Sequence, residues 1–303
     1  MLDRLRQVAF LVNDSQDARQ LYQRVLGLEP SGSQELSEYG LTSQALPAGG
    51  GTFIELLQPT AGDSAAARYL HRRGEAPYLL TFQTSAYDRL IPHLKSLDVP
   101  VSAEVEHAGY RSAFIYSSSA NGTLLEIVEV SPGSSSWPPA GPDWARQKGK
   151  AETRQLRQVA ILVKDLDQAI KRWGEMFGLR ATRRFQISFT DLEIAVLPLP
   201  DRSTFIELAQ PTSSDTSSAR FLARYGEGIY LTIFEIEDSL AMDTYLQGQD
   251  VRFTTSRSTA NYINLGFNSI WLHPGSMKGA FIQLSQVLSE DNPWPPAGDD
   301  WYL

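Results

Sequence analysis

"LRQVAFLV" at residues 5–12 and "LRQVAILV" at 156–163 differ at one position in eight. Both have the apolar, β-rich character of a strand. Alternate strand residues share a face, so Gln7 lies with Ala9 and Leu11, while Val8, Phe10 and Val12 look the other way. Both faces are mostly apolar, so both should be covered. A glutamine stands at the same place in each copy, Gln7 and Gln158, which makes the amide a position and not an accident.

The repeat extends along the chain. "TFIELLQPT" at Thr52 returns as "TFIELAQPT" at Thr204, "ARYLHRRGEAPYLLTF" at Ala67 as "ARFLARYGEGIYLTIF" at Ala219, and "SWPPAGPDW" at Ser136 as "PWPPAGDDW" at Pro293. The offset is 151 residues from Gln7 to Gln158 and 157 from Trp137 to Trp294, so small insertions accumulate in the second copy. The 303 residues divide into residues 1–131, a Ser/Pro/Gly-rich linker at 132–153, and residues 154–303. The paired tryptophans, Trp137 with Trp144 and Trp294 with Trp301, suggest an aromatic clasp on the sheet edge or a lid over a cavity.

Each half repeats one pattern twice. In "NDSQDARQLYQRVLGL", Asp14 is suited to cap a helix and Gly27 to stop it. Ala18, Leu21, Tyr22, Val25 and Leu26 make its apolar stripe, and Asp165 caps the counterpart in the second half. Strands follow, and the pattern restarts at "YLLTFQT". The expectation is an α+β fold of four βαβββ modules, two to a domain.

Net charge is −8 and there are no cysteines. A nucleic-acid partner needs a basic face that this composition does not offer. Disulfides, thiolate metal sites and thiol nucleophiles are excluded. No apolar run reaches the roughly 18 residues of a membrane span. The sequence runs into a strand pattern within a few residues, without an h-region and cleavage site, so export is not expected, and a cytoplasmic home fits.

Acids stand in the middle of apolar strands: Glu55 beside Phe53 and Leu57, Glu126 beside Leu124 and Val128, and Glu207 beside Phe205, with Gln283 beside Phe281. A carboxylate buried there is costly without a partner. Either these groups satisfy one another inside a closed barrel, or they face a ligand.

The quoted stretches, with "NGTLLEIVE" at Asn121, resemble the vicinal oxygen chelate superfamily, the group of glyoxalase I, methylmalonyl-CoA epimerase, extradiol dioxygenases and bleomycin-binding proteins. "GEGIYLTIF" at Gly226 is similar to the "GEGIHHIAF" box of epimerase-like members. The resemblance implies two tandem glyoxalase-like domains, each a curved mixed sheet around a cavity. It implies four metal-ligand slots per domain. Gln7 and Gln158 match the first, Glu55 and Glu207 the second, and Glu126 and Gln283 the fourth. The third, a histidine in the family, is Leu79 or Leu231. Transition metals want imidazole or thiolate. No cofactor is therefore expected, although Gln7, Glu55 and Glu126 could weakly hold a divalent cation through oxygen. His71, His93, His107 and His273 do not supply the missing ligand, so glyoxalase I and extradiol dioxygenase activities are disfavoured.

Three functions stay open. The first is an epimerase, isomerase or lyase acting on a small carbonyl compound, with Glu55 and Glu126 as catalytic acid and base. The second is a metal-free binding protein for a small apolar molecule. Gln7, Phe53, Leu79, Tyr116 and Leu124 would line one cavity, and Gln158, Glu207, Leu231, Trp271 and Gln283 the other, with Tyr110 and Tyr262 as further stacking aromatics. In the third, one half works and the other is structural. The resemblance implies that Leu79 points inward, and a regular strand would then place Tyr78 under the helices. No basic cluster marks a CoA phosphate site, and a homodimer is compatible with the sequence.

Overall fold

The structure is a computed structural model. It describes residues 1–131, 137–141, 153–187, 190–257 and 266–302, with backbone alone at 153–154. The first half runs β1 (Arg4–Leu11), α1 (Ser15–Leu26), β2 (Ser33–Leu36), β3 (Leu41–Pro47), β4 (Phe53–Pro59), α2 (Ala65–Arg73), β5 (Ala76–Gln83), α3 (Tyr87–Ser96), β6 (Val105–His107), β7 (Tyr110–Ile115) and β8 (Leu124–Val130). The second repeats it: β9 (Thr153–Leu162), α4 (Leu166–Phe177), β10 (Phe185–Ile187), β11 (Leu192–Pro198), β12 (Phe205–Pro211), α5 (Ser217–Tyr225), β13 (Gly228–Ile236), α6 (Ser239–Gln247), β14 (Phe253–Ser256), β15 (Phe267–Leu272) and β16 (Ile282–Val287).

Each half builds one curled eight-stranded mixed sheet, in the orders β2-β3-β4-β1-β5-β8-β7-β6 and β10-β11-β12-β9-β13-β16-β15-β14. The fold is α+β, two tandem glyoxalase-like domains. The first strand of each half is central because both its faces are apolar. It pairs parallel to β4 and antiparallel to β5 in the first sheet, and β9 does the same with β12 and β13. The expected caps are present. The Asp14 carboxylate accepts from the Gln16 and Asp17 amides, and Gly27 closes the helix in the left-handed conformation at φ 67°.

The two faces of each sheet have different fates. Val8, Phe10 and Val12 join Tyr22, Leu90, Val159, Trp173 and Leu246 in one core that spans both halves and includes α1, α3, α4 and α6. Trp173 packs edge-on against Phe82 across this junction at 6.4 Å, and its Nε1 donates to Asn121 Oδ1 at 3.1 Å. The junction is crossed twice by close backbone approach. Gly122 lies against the Glu227 carbonyl and Gly279 against that of Glu75, both glycines at positive φ. The concave faces form separate clusters with α2 and α5 packed on them. Arg73 of α2 lies 5.6 Å over Tyr69 and 5.3 Å over Phe221, tying the two cover helices together. Among the described residues no helix is long and apolar enough to cross a membrane.

Candidate active site

Neighbouring strands bring the marked polar residues of the first half together. β1 pairs Ala9 with Glu55, placing Gln7 and Glu55 on one face, and β5 pairs Thr81 with Glu126. Gln7 Nε2 donates to Glu55 Oε2 at 3.0 Å, and Ser43 Oγ donates to Glu55 Oε1 at 2.5 Å. Thr81 Oγ1 donates to Glu126 Oε2 at 3.0 Å. Ser112 bonds Glu126 from the other side and lies 3.4 Å from His107 Nε2.

Desolvation disfavours the charged form of a carboxyl. It raises Glu55 above the usual carboxylate range, opposed by the bonds from Ser43 and Gln7. Burial pushes Glu126 up to about 7, the Glu55 charge pushes the same way, and Thr81 and Ser112 pull back. Leu79, Leu124, Tyr39, Tyr78 and Phe114 surround this pair on the concave face.

Tyr78 does not join the core with α1 and α3; it lies on the concave face, against α2. β1 pairs Ala9 with Leu79 but Phe10 with Pro77, so Tyr78 is the extra residue of a β-bulge. The bulge breaks the two-residue alternation and leaves Tyr78 and Leu79 in the same concave cluster, with Tyr78 edge-on to Tyr69 at 5.1 Å. The second half repeats the bulge at Tyr230.

The Trp-Pro-Pro-Ala-Gly segments seat their first tryptophan on the concave face, not on a sheet edge. Trp137 is fully buried among Ala45, Phe53 and Val128. Its Nε1 donates to Gln7 Oε1. Trp294 Nε1 likewise donates to Gln158 Oε1 at 2.8 Å. Trp301 clasps Phe205 edge-on at 4.8 Å. Trp144 and Tyr262 lie outside the described residues.

At the positions matched to Gln7, Glu55 and Glu126, the second half has one carboxylate fewer. Gln158 Nε2 donates to Glu207 Oε2 at 2.6 Å. Gln283 accepts from Trp271 Nε1 at 3.1 Å and donates to Ser269 and Ser285 at 2.9 and 2.8 Å, which uses both its N–H groups and one lone pair of its oxygen. A cavity of about 530 Å³ opens here, lined by Glu207, Gln283, Tyr230, Leu231, Trp271 and Phe281, among others. Burial pushes Glu207 up to about 7, opposed by Gln158.

This shift has a stability consequence. Between pH about 4.5 and 7 the folded state keeps a proton on Glu207 that the unfolded chain has released. Stability therefore falls as pH rises through that window and levels above it. Glu207→Gln is expected to remove this part of the slope and to stabilise the protein at pH 8 by ~1–3 kcal/mol. Urea unfolding at pH 5 and 8 checks it; a variant less stable than wild type at pH 8 contradicts the burial argument.

The pattern of the Glyoxalase/Bleomycin resistance protein/Dioxygenase superfamily matches residues 6–116 and 157–267, once in each half. The chain belongs to this superfamily. Mitochondrial methylmalonyl-CoA epimerase of Bos taurus is 28% identical over 133 residues, covering 43% of this chain and 75% of the relative. The uncharacterized protein YqjC of Bacillus subtilis (strain 168) is 27% identical over 131 residues, 42% of this chain and 93% of that protein. A mutant 4-hydroxymandelate synthase from Streptomyces coelicolor superposes with a TM-score of 0.72 at 15% identity, covering 98% of this chain and 96% of its own. That likeness shows the tandem fold.

Superfamily membership raises the question of a metal, and the residues present do not fit one. The third slot is filled by leucine in both halves, and Gln7 and Gln158 turn their oxygens to indole N–H groups and their NH₂ groups, which cannot bind a cation, to Glu55 and Glu207. Among the described residues no group of three His, Cys, Asp or Glu side chains could hold an ion.

Gln7, Glu55, Glu126, Leu79 and Leu124 thus converge, as do Gln158, Glu207, Gln283, Leu231 and Trp271. Phe53 is fully buried beneath Trp137, and Tyr116, just beyond β7, is 50% exposed. Sequence reasoning missed Ser43, Thr81 and Ser112. Their cross-strand pairing supplied the only signal, since each shares a face with an acid on a neighbouring strand.

Proposed function

We propose that the first half is a metal-independent acid–base site that moves a proton at a carbon beside a carbonyl of a small molecule, in the epimerase, isomerase or lyase class. The observation that carries this reading is the Glu55–Glu126 pair on an apolar concave face, with Glu126 pushed up to about 7. A general base is most effective with its pKa near the working pH. Glu126 takes the proton from carbon, leaving an enolate; its protonated form returns the proton to a neighbouring carbon in an isomerisation, and in an epimerisation a second acid, the role Glu55 would fill, delivers a proton to the opposite face of the same carbon. Glu55 is held by Ser43 and Gln7 and supplies the neighbouring charge. The name of the Bos taurus relative is consistent with this class.

A second reading applies to the second half. Its cavity of about 530 Å³ sets Glu207, Gln283, Asp191, Asp215 and Arg220 beside Leu231, Trp271 and Phe281, a mixed lining that suits binding of a small molecule with both apolar surface and polar groups.

The test is solvent-deuterium incorporation, followed by NMR, into a panel of 2-substituted carbonyl compounds. Incorporation above the buffer rate is expected for at least one of them. Absence across the panel, with tight binding of the same compounds, favours sequestration over catalysis.

A further inference from the structure

The tryptophan of each Pro-Pro segment meets the glutamine in the first slot, and the chemistry of that contact fixes which way the amide points. An indole N–H donates and cannot accept. Whatever faces Trp137 Nε1 must be an oxygen, so Gln7 turns its NH₂ to Glu55. The flipped amide would set N–H against N–H and carbonyl oxygen against carboxylate, losing both bonds. The second half repeats the relay from Trp294 through Gln158 to Glu207.

Each indole is itself held. The Arg6 guanidinium lies 4.5 Å over Trp137, and Arg157 lies 4.9 Å over Trp294. The first segment is tied down by Ser31 Oγ, which donates to the Ala140 carbonyl at 3.1 Å, and by Gln34 Nε2, which donates to that of Pro139 at 3.2 Å. The second is tied through Asn292, which takes the Trp294 amide and the Trp301 indole.

We propose that Trp137 and Trp294 are positioning residues that hold the first-slot amides as hydrogen-bond donors to Glu55 and Glu207, and so close that slot to cations. In the first half, removing the indole donor frees the Gln7 oxygen to join the Glu55 and Glu126 carboxylates as a third oxygen ligand. In the second half the same change gains nothing, because the position of Glu126 is held by the neutral amide of Gln283 and only one carboxylate stands at the matched positions.

The test uses the full chain, with Mn²⁺ as probe and free Mn²⁺ followed by electron paramagnetic resonance. Trp137→Phe keeps the aromatic plug and deletes the donor. It is expected to bind Mn²⁺ at least about tenfold more tightly than wild type, the scale by which supporting contacts tune metal sites. Adding Glu126→Gln should abolish the gain, and Trp294→Phe should show none. Equal Mn²⁺ affinity in wild type and Trp137→Phe overturns the proposal. A second measurement needs no tryptophan variant. In ¹⁵N-indole-labelled protein, Gln7→Leu is expected to move the Trp137 indole resonance and speed its hydrogen exchange. An unmoved resonance overturns the proposal equally.

Discussion

Gly279→Ala is expected to destabilise the protein by roughly 3 kcal/mol, with Gly122→Ala close behind. Both glycines sit at positive φ, 78° and 72°, where an L side chain is strained. Both also leave no room, because a Cβ would overlap the carbonyl oxygen of Glu75 or Glu227 in the other half. Relief would need the halves to part, and the apolar core that spans them resists that. The surroundings add to the cost at Gly122. Asn121 donates to the Glu227 carboxylate at 3.3 Å while accepting from Trp173. Gly62 is the control. It has open space and no unusual φ, so Gly62→Ala should stay within ~0.5 kcal/mol of wild type. Urea unfolding of the three variants decides it; equal stability of Gly279→Ala and Gly62→Ala would show that the crossings carry no strain.

Glu126→Gln is expected to lower deuterium exchange into an accepted carbonyl compound by about 10²–10⁴-fold, the usual contribution of a positioned general base. Gln keeps the acceptor for Thr81 and removes the proton-accepting function. The pH profile separates chemistry from folding. The base must be deprotonated to work, so the rate should rise with pH through about 7 in wild type. Glu55→Gln removes a charge that raises Glu126, so its rising limb should move to lower pH. An unchanged rate in Glu126→Gln ends the acid–base assignment, whereas an unchanged limb in Glu55→Gln leaves Glu126 as base and removes the coupling.

The duplication was legible because it repeats whole strands, not single residues. "TFIELLQPT" and "NGTLLEIVE" placed Glu55 and Glu126 on strands whose other residues are apolar, and alternation then aimed them at one face. That argument holds only while the strand is regular. At Tyr78 it is not, and the bulge depends on how β5 registers against β1, which a single strand's sequence does not encode. The tryptophan segments escaped for a different reason. Their decisive bond joins Trp137 to a partner 130 residues earlier, and proline-rich stretches carry no periodicity from which a facing direction can be read. The serine and threonine donors escaped because such residues are ordinary in strands.

The bulge also bears on how this wall can change over evolutionary time. Where a strand alternates, adjacent codons address opposite faces, and their substitutions act independently. At Tyr78–Leu79 and Tyr230–Leu231, adjacent codons address the same concave surface. Substitutions at each pair should therefore show epistasis, since touching side chains couple by ~0.5–3 kcal/mol. Libraries that vary both codons together will reach cavity shapes that stepwise single changes pass through only at a loss.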